Sequence, residues 1–102
     1  MDQKKAIEIV KLFLSYLKDN KFDVQKAYIF GSYAKGTPHE ESDIDLAIVL
    51  KNIKNNFNTQ VQLMKMRRNF DTRIEPHPFD ELDFHPSNPI VHEIPSTGIQ
   101  LY

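Results

Sequence analysis

Five consecutive apolar residues, Leu46-Ala47-Ile48-Val49-Leu50, follow directly on Asp43-Ile44-Asp45. An unbroken run of this length predicts a strand over residues 43–50, buried on both faces once past Asp45. Alternate side chains of a strand share a face, so Asp43 and Asp45 are expected to point one way while Ile44 and Leu46 point into the core. Two carboxylates held so close repel, which raises one pKa unless a cation lies between them. A hard divalent cation answers that need, and magnesium favours one or two carboxylates together with waters and substrate phosphates.

Upstream of Asp43, with ten residues intervening, stands a glycine-serine pair, Gly31-Ser32. Residues 24–30 alternate and are rich in strand formers, which predicts a second strand delivering Gly31 to the same region. Gly31 leaves room for close backbone approach. With a short helical turn over residues 32–35, Ser32 and free backbone amides can hold an anion. Lys35 could neutralise a phosphate, although a lone exposed lysine is more often simply solvated. The Lys35-Gly36 step suggests a tight turn into a polar loop containing Pro38, with His39 among Glu40 and Glu41 at the surface.

The flanks supply support. Residues 2–20 place Ile7, Val10, Phe13, Leu14 and Leu17 at helical spacing, and Asn20-Lys21 ends that helix. A second helix is expected from Asn58 or Thr59 to about Asn69. Val61, Leu63, Met64, Met66 and Phe70 form its apolar side, and Arg67 and Arg68 suit the dipole at its end or reach toward a triphosphate. Residues 70–77 read as a strand stopped by Pro76 and Pro78, with Asp71, Arg73 and Glu75 on one face. The tail suggests short helical pieces near residues 80–83 and 89–94, then an edge strand over residues 99–102. His77, His85 and His92 lack the close spacing of a zinc site and read as structural. Arg73 and Tyr33 could touch a nucleotide, or pack and pair.

With 102 residues, the chain is expected to form one domain over residues 1–102 with one modest core. Thirteen Lys and Arg against 14 Asp and Glu leave no bulk positive field, which argues against nucleic acid as a direct partner. Cysteine is absent, which excludes disulfides and thiolate chemistry, and no apolar run approaches membrane-spanning length. The expectation is a cytoplasmic protein with no membrane partner.

Gly31-Ser32, ten intervening residues containing Lys35-Gly36, and Asp43-Ile44-Asp45 on an apolar strand together resemble the signature of the DNA polymerase β-type nucleotidyltransferases. The segment from Asp71 to Phe79 resembles that of the minimal nucleotidyltransferases within that superfamily. The resemblance implies an α/β (α+β) fold with a small mixed β-sheet and helices packed against it. It implies catalytic and metal-binding roles for Asp43, Asp45 and a third acid on the following strand, for which Glu75 is the choice and Asp71 the alternative. Pro76 departs from the apolar neighbour expected there. It further implies nucleotide binding at Gly31, Ser32 and Lys35, two Mg2+ ions, and ATP as the substrate. Minimal nucleotidyltransferases of this kind resemble the antitoxin half of HEPN/MNT pairs, which implies AMP transfer to a tyrosine of a helical HEPN toxin. Two alternatives stand beside that expectation. One is an inactive binding module that masks its partner, and the other is a transferase acting on a small molecule or an RNA end.

Overall fold

The computed structural model describes residues 1–38 and 42–102. His39, Glu40 and Glu41, read above as surface residues, lie outside the described residues. The elements follow in the order α1 (Gln3–Asp19), β1 (Val24–Phe30), β2 (Ile44–Leu50), α2 (Asn56–Met66), a 3-10 turn (Arg67–Asn69), β3 (Ile74–Asp80), α3 (Pro89–Thr97) and β4 (Ile99–Gln100).

The four strands form one mixed sheet in the order β3-β2-β1-β4. β1 runs antiparallel to β2 and to β4, whereas β2 and β3 are parallel. The apolar run therefore fills an inner strand, as its unbroken pattern requires: every residue of β2 except Asp45 is buried. Ile44, Leu46, Ile48 and Leu50 join Phe13, Leu14 and Leu17 of α1 and Leu63 of α2 in the main core. On the opposite face Ala47 packs with Tyr28 and Ile94 of α3, bordered by Phe30, Phe79 and Phe84. Asp45, two residues before Ala47, shares this second face.

Helix α1 begins where Asp2 accepts a 2.8 Å hydrogen bond from the Lys5 N–H, which satisfies one of the free amides of the first turn. It ends at Asn20, and Lys21 turns the chain with φ 69°. Ala6 joins Val10, Phe13, Leu14 and Leu17 on the buried stripe, while Ile7 lies at its margin. Helix α2 starts earlier than the sequence suggested because Asn55, not Asn58 or Thr59, is the cap, accepting from the Asn58 N–H at 3.0 Å. Leu63 is its one buried residue; Val61 is exposed. Phe70, assigned above to a strand, instead packs its ring against Phe13 and Tyr16.

The third strand departs most from expectation. It begins at Ile74 and runs through both Pro76 and Pro78 to Asp80 instead of stopping at them. The reason lies in parity. The Ile44 N–H donates to the Arg73 carbonyl and the Glu81 N–H donates to the Leu50 carbonyl, so odd-numbered residues of this strand bond to β2. Even-numbered residues direct their backbone groups to the outer edge, where a proline forfeits no ladder bond. Side chains from the α2 region occupy that edge: Arg67 Nη1 donates to the Ile74 carbonyl at 2.7 Å, and Gln60 Nε2 to the Pro76 carbonyl at 3.3 Å.

The tail differs in smaller ways. Residues 81–83 form a turn rather than a helical piece. Helix α3, capped by Asn88, continues past Pro95 to Thr97. β4 is confined to Ile99–Gln100, although the Leu101 N–H still donates to the Ala27 carbonyl at 2.8 Å. Among the described residues, no helix is long and apolar enough to cross a membrane.

Candidate active site

Strand pairing brings the site together. Asp45 on β2 is aligned with Phe30 on β1 and with Glu75 on β3, so one cross-section of the sheet carries all three. His77, two residues beyond Glu75, lies on the same face. Ligating atoms of Asp45, Glu75 and His77 all fall within 4.8 Å of one another, and all three residues are half-buried. His77 Nε2 lies 3.4 Å from Asp45 Oδ1. Its ring rests against Phe30, with centroids 5.3 Å apart.

Gly31 follows Phe30 and closes over this group. Its φ of +74° lies in the left-handed region, and a Cβ built there would stand 2.5 Å from Asp45 Oδ2. The absent side chain thus leaves room for the Asp45 carboxylate beside the turn. Residues 31–37 form a hydrogen-bonded turn in place of a regular helix, with the Lys35 N–H on the Gly31 carbonyl at 3.2 Å and the Thr37 N–H on the Ser32 carbonyl at 3.0 Å. Ser32 is half-buried and Lys35 exposed. Gly31 and Lys35 border a hollow of about 130 Å³ against Ile90, Glu93, Ile94 and Thr97.

The other sequence candidates are distributed unevenly. Asp43 is exposed, one residue short of β2, and stands outside the 4.8 Å group. Asp71 is engaged elsewhere: Arg73 donates to it from Nη2 at 2.9 Å and from Nε at 3.0 Å. The side-chain hydrogen bond from Arg73 holds the Asp71 carboxyl below the usual carboxylate range. Glu75, rather than Asp71, is therefore the acid beside Asp45. Tyr33 is wholly buried in the main core, and Arg67 donates to the edge of β3. A larger hollow of about 480 Å³ opens around Lys21, Lys51 and Asn52, at the Leu50 end of β2 and thus remote from Asp45.

His77 is the residue that the sequence reading set aside. Its signal was available in the alternation itself, since a strand continuing through Pro76 puts residues 75 and 77 on one face. Two carboxylates and an imidazole are donors to divalent cations, and all three side chains are only half-buried. The residues present fit a divalent metal.

Comparisons with known proteins place the chain in a family. The protein adenylyltransferase MntA of Shewanella oneidensis is 33% identical over 75 residues, covering 74% of this chain and 51% of its own length. The chain thus spans about half the length of that curated relative. Among solved structures, a candidate nucleotidyltransferase of Sulfolobus solfataricus matches with a TM-score of 0.68 at 22% identity, covering 98% of this chain and 82% of its own. A mutant of the MntA–HpeT toxin–antitoxin complex matches with a TM-score of 0.61 at 23% identity, covering 100% of this chain and 73% of its own. At those identities the structural likeness is one of fold. Residues 8–102 match the family described as Polymerase beta, Nucleotidyltransferase, and the chain belongs to that family.

Proposed function

We propose that this chain is a divalent-metal-dependent nucleotidyltransferase that moves AMP from ATP to a hydroxyl of a partner protein. The observation that carries the reading is the convergence of Asp45, Glu75 and His77 beneath Gly31. Asp45 and Glu75 would hold the metal, with Asp43 reaching in from the entrance. A divalent ion bound there, Mg2+ in the simplest case, would neutralise triphosphate charge and stabilise the attacking and leaving oxygens. Gly31 and Ser32 would seat the phosphates, and Lys35 would offset their charge from the rim. Glu75 would orient the acceptor hydroxyl and take its proton as oxygen bonds to the α-phosphorus and the bond to pyrophosphate breaks. Little covalent work then falls to the protein beyond position and charge.

The acceptor we favour is a tyrosine of a HEPN-type toxin, with this chain as the antitoxin. The MntA relative, named a protein adenylyltransferase, and the fold likeness to a toxin–antitoxin complex support that choice. Incubation of the protein with ATP, a divalent metal and the product of the neighbouring gene, followed by mass measurement of both chains, tests it. A partner heavier by one or more AMP units is the expected result; an unchanged partner mass refutes it. One observation favours a second reading, a binding module that neutralises its partner by masking: Asp43 is exposed and does not belong to the 4.8 Å group of Asp45, Glu75 and His77. On that reading the partner is silenced without ATP and without gain of mass.

A further inference from the structure

We propose that His77 is itself a metal ligand, giving this site a nitrogen donor and a preference for first-row transition ions over Mg2+, for which Mn2+, the weakest binder of that series, serves as the paramagnetic probe. The inference rests on the metal-dependent reading above and concerns which ion the site selects. Three observations support it. First, the 3.4 Å between His77 Nε2 and Asp45 Oδ1 is long for a hydrogen bond between such groups. It matches the separation of two donors sharing one ion, since ligands about 2.1 Å from a metal stand about 3.0–3.5 Å apart at right to tetrahedral angles. Second, Glu75 places a carboxylate oxygen within 4.8 Å of both atoms, so the three donors can surround a common point. Third, Phe30 packs against the imidazole at 5.3 Å, restricting the ring beside Asp45. Magnesium takes oxygen ligands and releases its waters reluctantly, whereas imidazole favours transition ions.

The test uses Mn2+ alone on the purified chain, read by electron paramagnetic resonance, with Mg2+ as competitor. Wild type should bind Mn2+ at least about tenfold more tightly than Mg2+, and pulsed spectra should carry imidazole nitrogen modulation. His77→Ala should lose the modulation and weaken Mn2+ binding at least about tenfold, in the range known for altered metal surroundings, with Mg2+ affinity changed less than about twofold. Circular dichroism and a melting curve establish that the variant is folded. Mn2+ bound without nitrogen modulation, or with equal affinity in wild type and His77→Ala, overturns the role of His77 and leaves the acidic site standing. Mn2+ binding that survives Asp45→Asn, or a wild type that binds no Mn2+, overturns the metal site itself.

Discussion

Replacing Gly31 with alanine separates the role of this residue in the fold from its role in the site, because Gly36 provides a matched control. Both glycines adopt nearly the same left-handed backbone, φ +74° and +73°. An alanine at either position should cost about 1–2 kcal/mol from backbone sterics alone. In a domain of this size that lowers the melting temperature by about 4–8 °C per kcal/mol. The surroundings then diverge. A Cβ at Gly36 meets nothing within 4 Å, whereas one at Gly31 falls 2.5 Å from Asp45 Oδ2, against an ordinary contact distance of at least 3.4 Å. Asp45 must therefore retreat by about 1 Å, a misplacement of the size that costs on the order of 100-fold in turnover. The assay pairs melting curves with transfer of AMP from labelled ATP to the partner. Gly31→Ala should lose about two orders of magnitude of transfer, and Gly36→Ala should transfer like wild type although the same backbone strain lowers its melting temperature. Equal transfer by the two variants would refute the claim that Gly31 is empty for the sake of Asp45.

Other outcomes follow from the same geometry. Asp43→Asn and Asp45→Asn should keep the fold, by circular dichroism, while losing nucleotidyl transfer, and Glu75→Gln should do the same. Asp71→Asn should leave transfer intact but lower the melting temperature at neutral pH. Arg73 depresses the Asp71 pKa in the folded state, so its stabilisation is present above the unfolded value and disappears as pH falls from about 4 through the folded value. The melting deficit of Asp71→Asn should accordingly close in that acid window. Gly98→Ala should destabilise by about 1–3 kcal/mol in denaturant titration, because its Cβ would press to 2.5 Å from the Ile94 carbonyl oxygen and 2.8 Å from that of Ile29. Replacing both Pro76 and Pro78 with valine should expose outward N–H groups on an edge strand and promote self-association, visible by size-exclusion chromatography.

Much of this arrangement is legible in the residue order, where burial and periodicity coincide. The apolar run after Asp45 suggested a strand buried on both faces, as found, and the spacing of Val10, Phe13, Leu14 and Leu17 defined the buried face of α1. The delivery of Gly31 to the site by a strand was likewise legible, whereas its close contact with the Asp45 carboxylate was not, because that depends on the pairing of the two strands. The third strand was not, because a proline reads as a stop when the parity of the ladder is unknown. Pro76 and Pro78 both fall on the edge side, which only the pairing with β2 reveals. That shift kept His77 out of view as a partner of Asp45. The early start of α2 escaped for a different reason: four asparagines and a threonine between residues 52 and 59 offer several competent caps, and local chemistry does not rank them.

The mounting of the two acids of the Asp-x-Asp pair also differs. Asp45 belongs to a strand hydrogen-bonded on both sides, so its amide should be among the last to exchange with deuterated solvent. Asp43 lies beyond the final rung, in a segment that should exchange early. One carboxylate is thus anchored within the sheet, and the other is carried on the segment that leads into it.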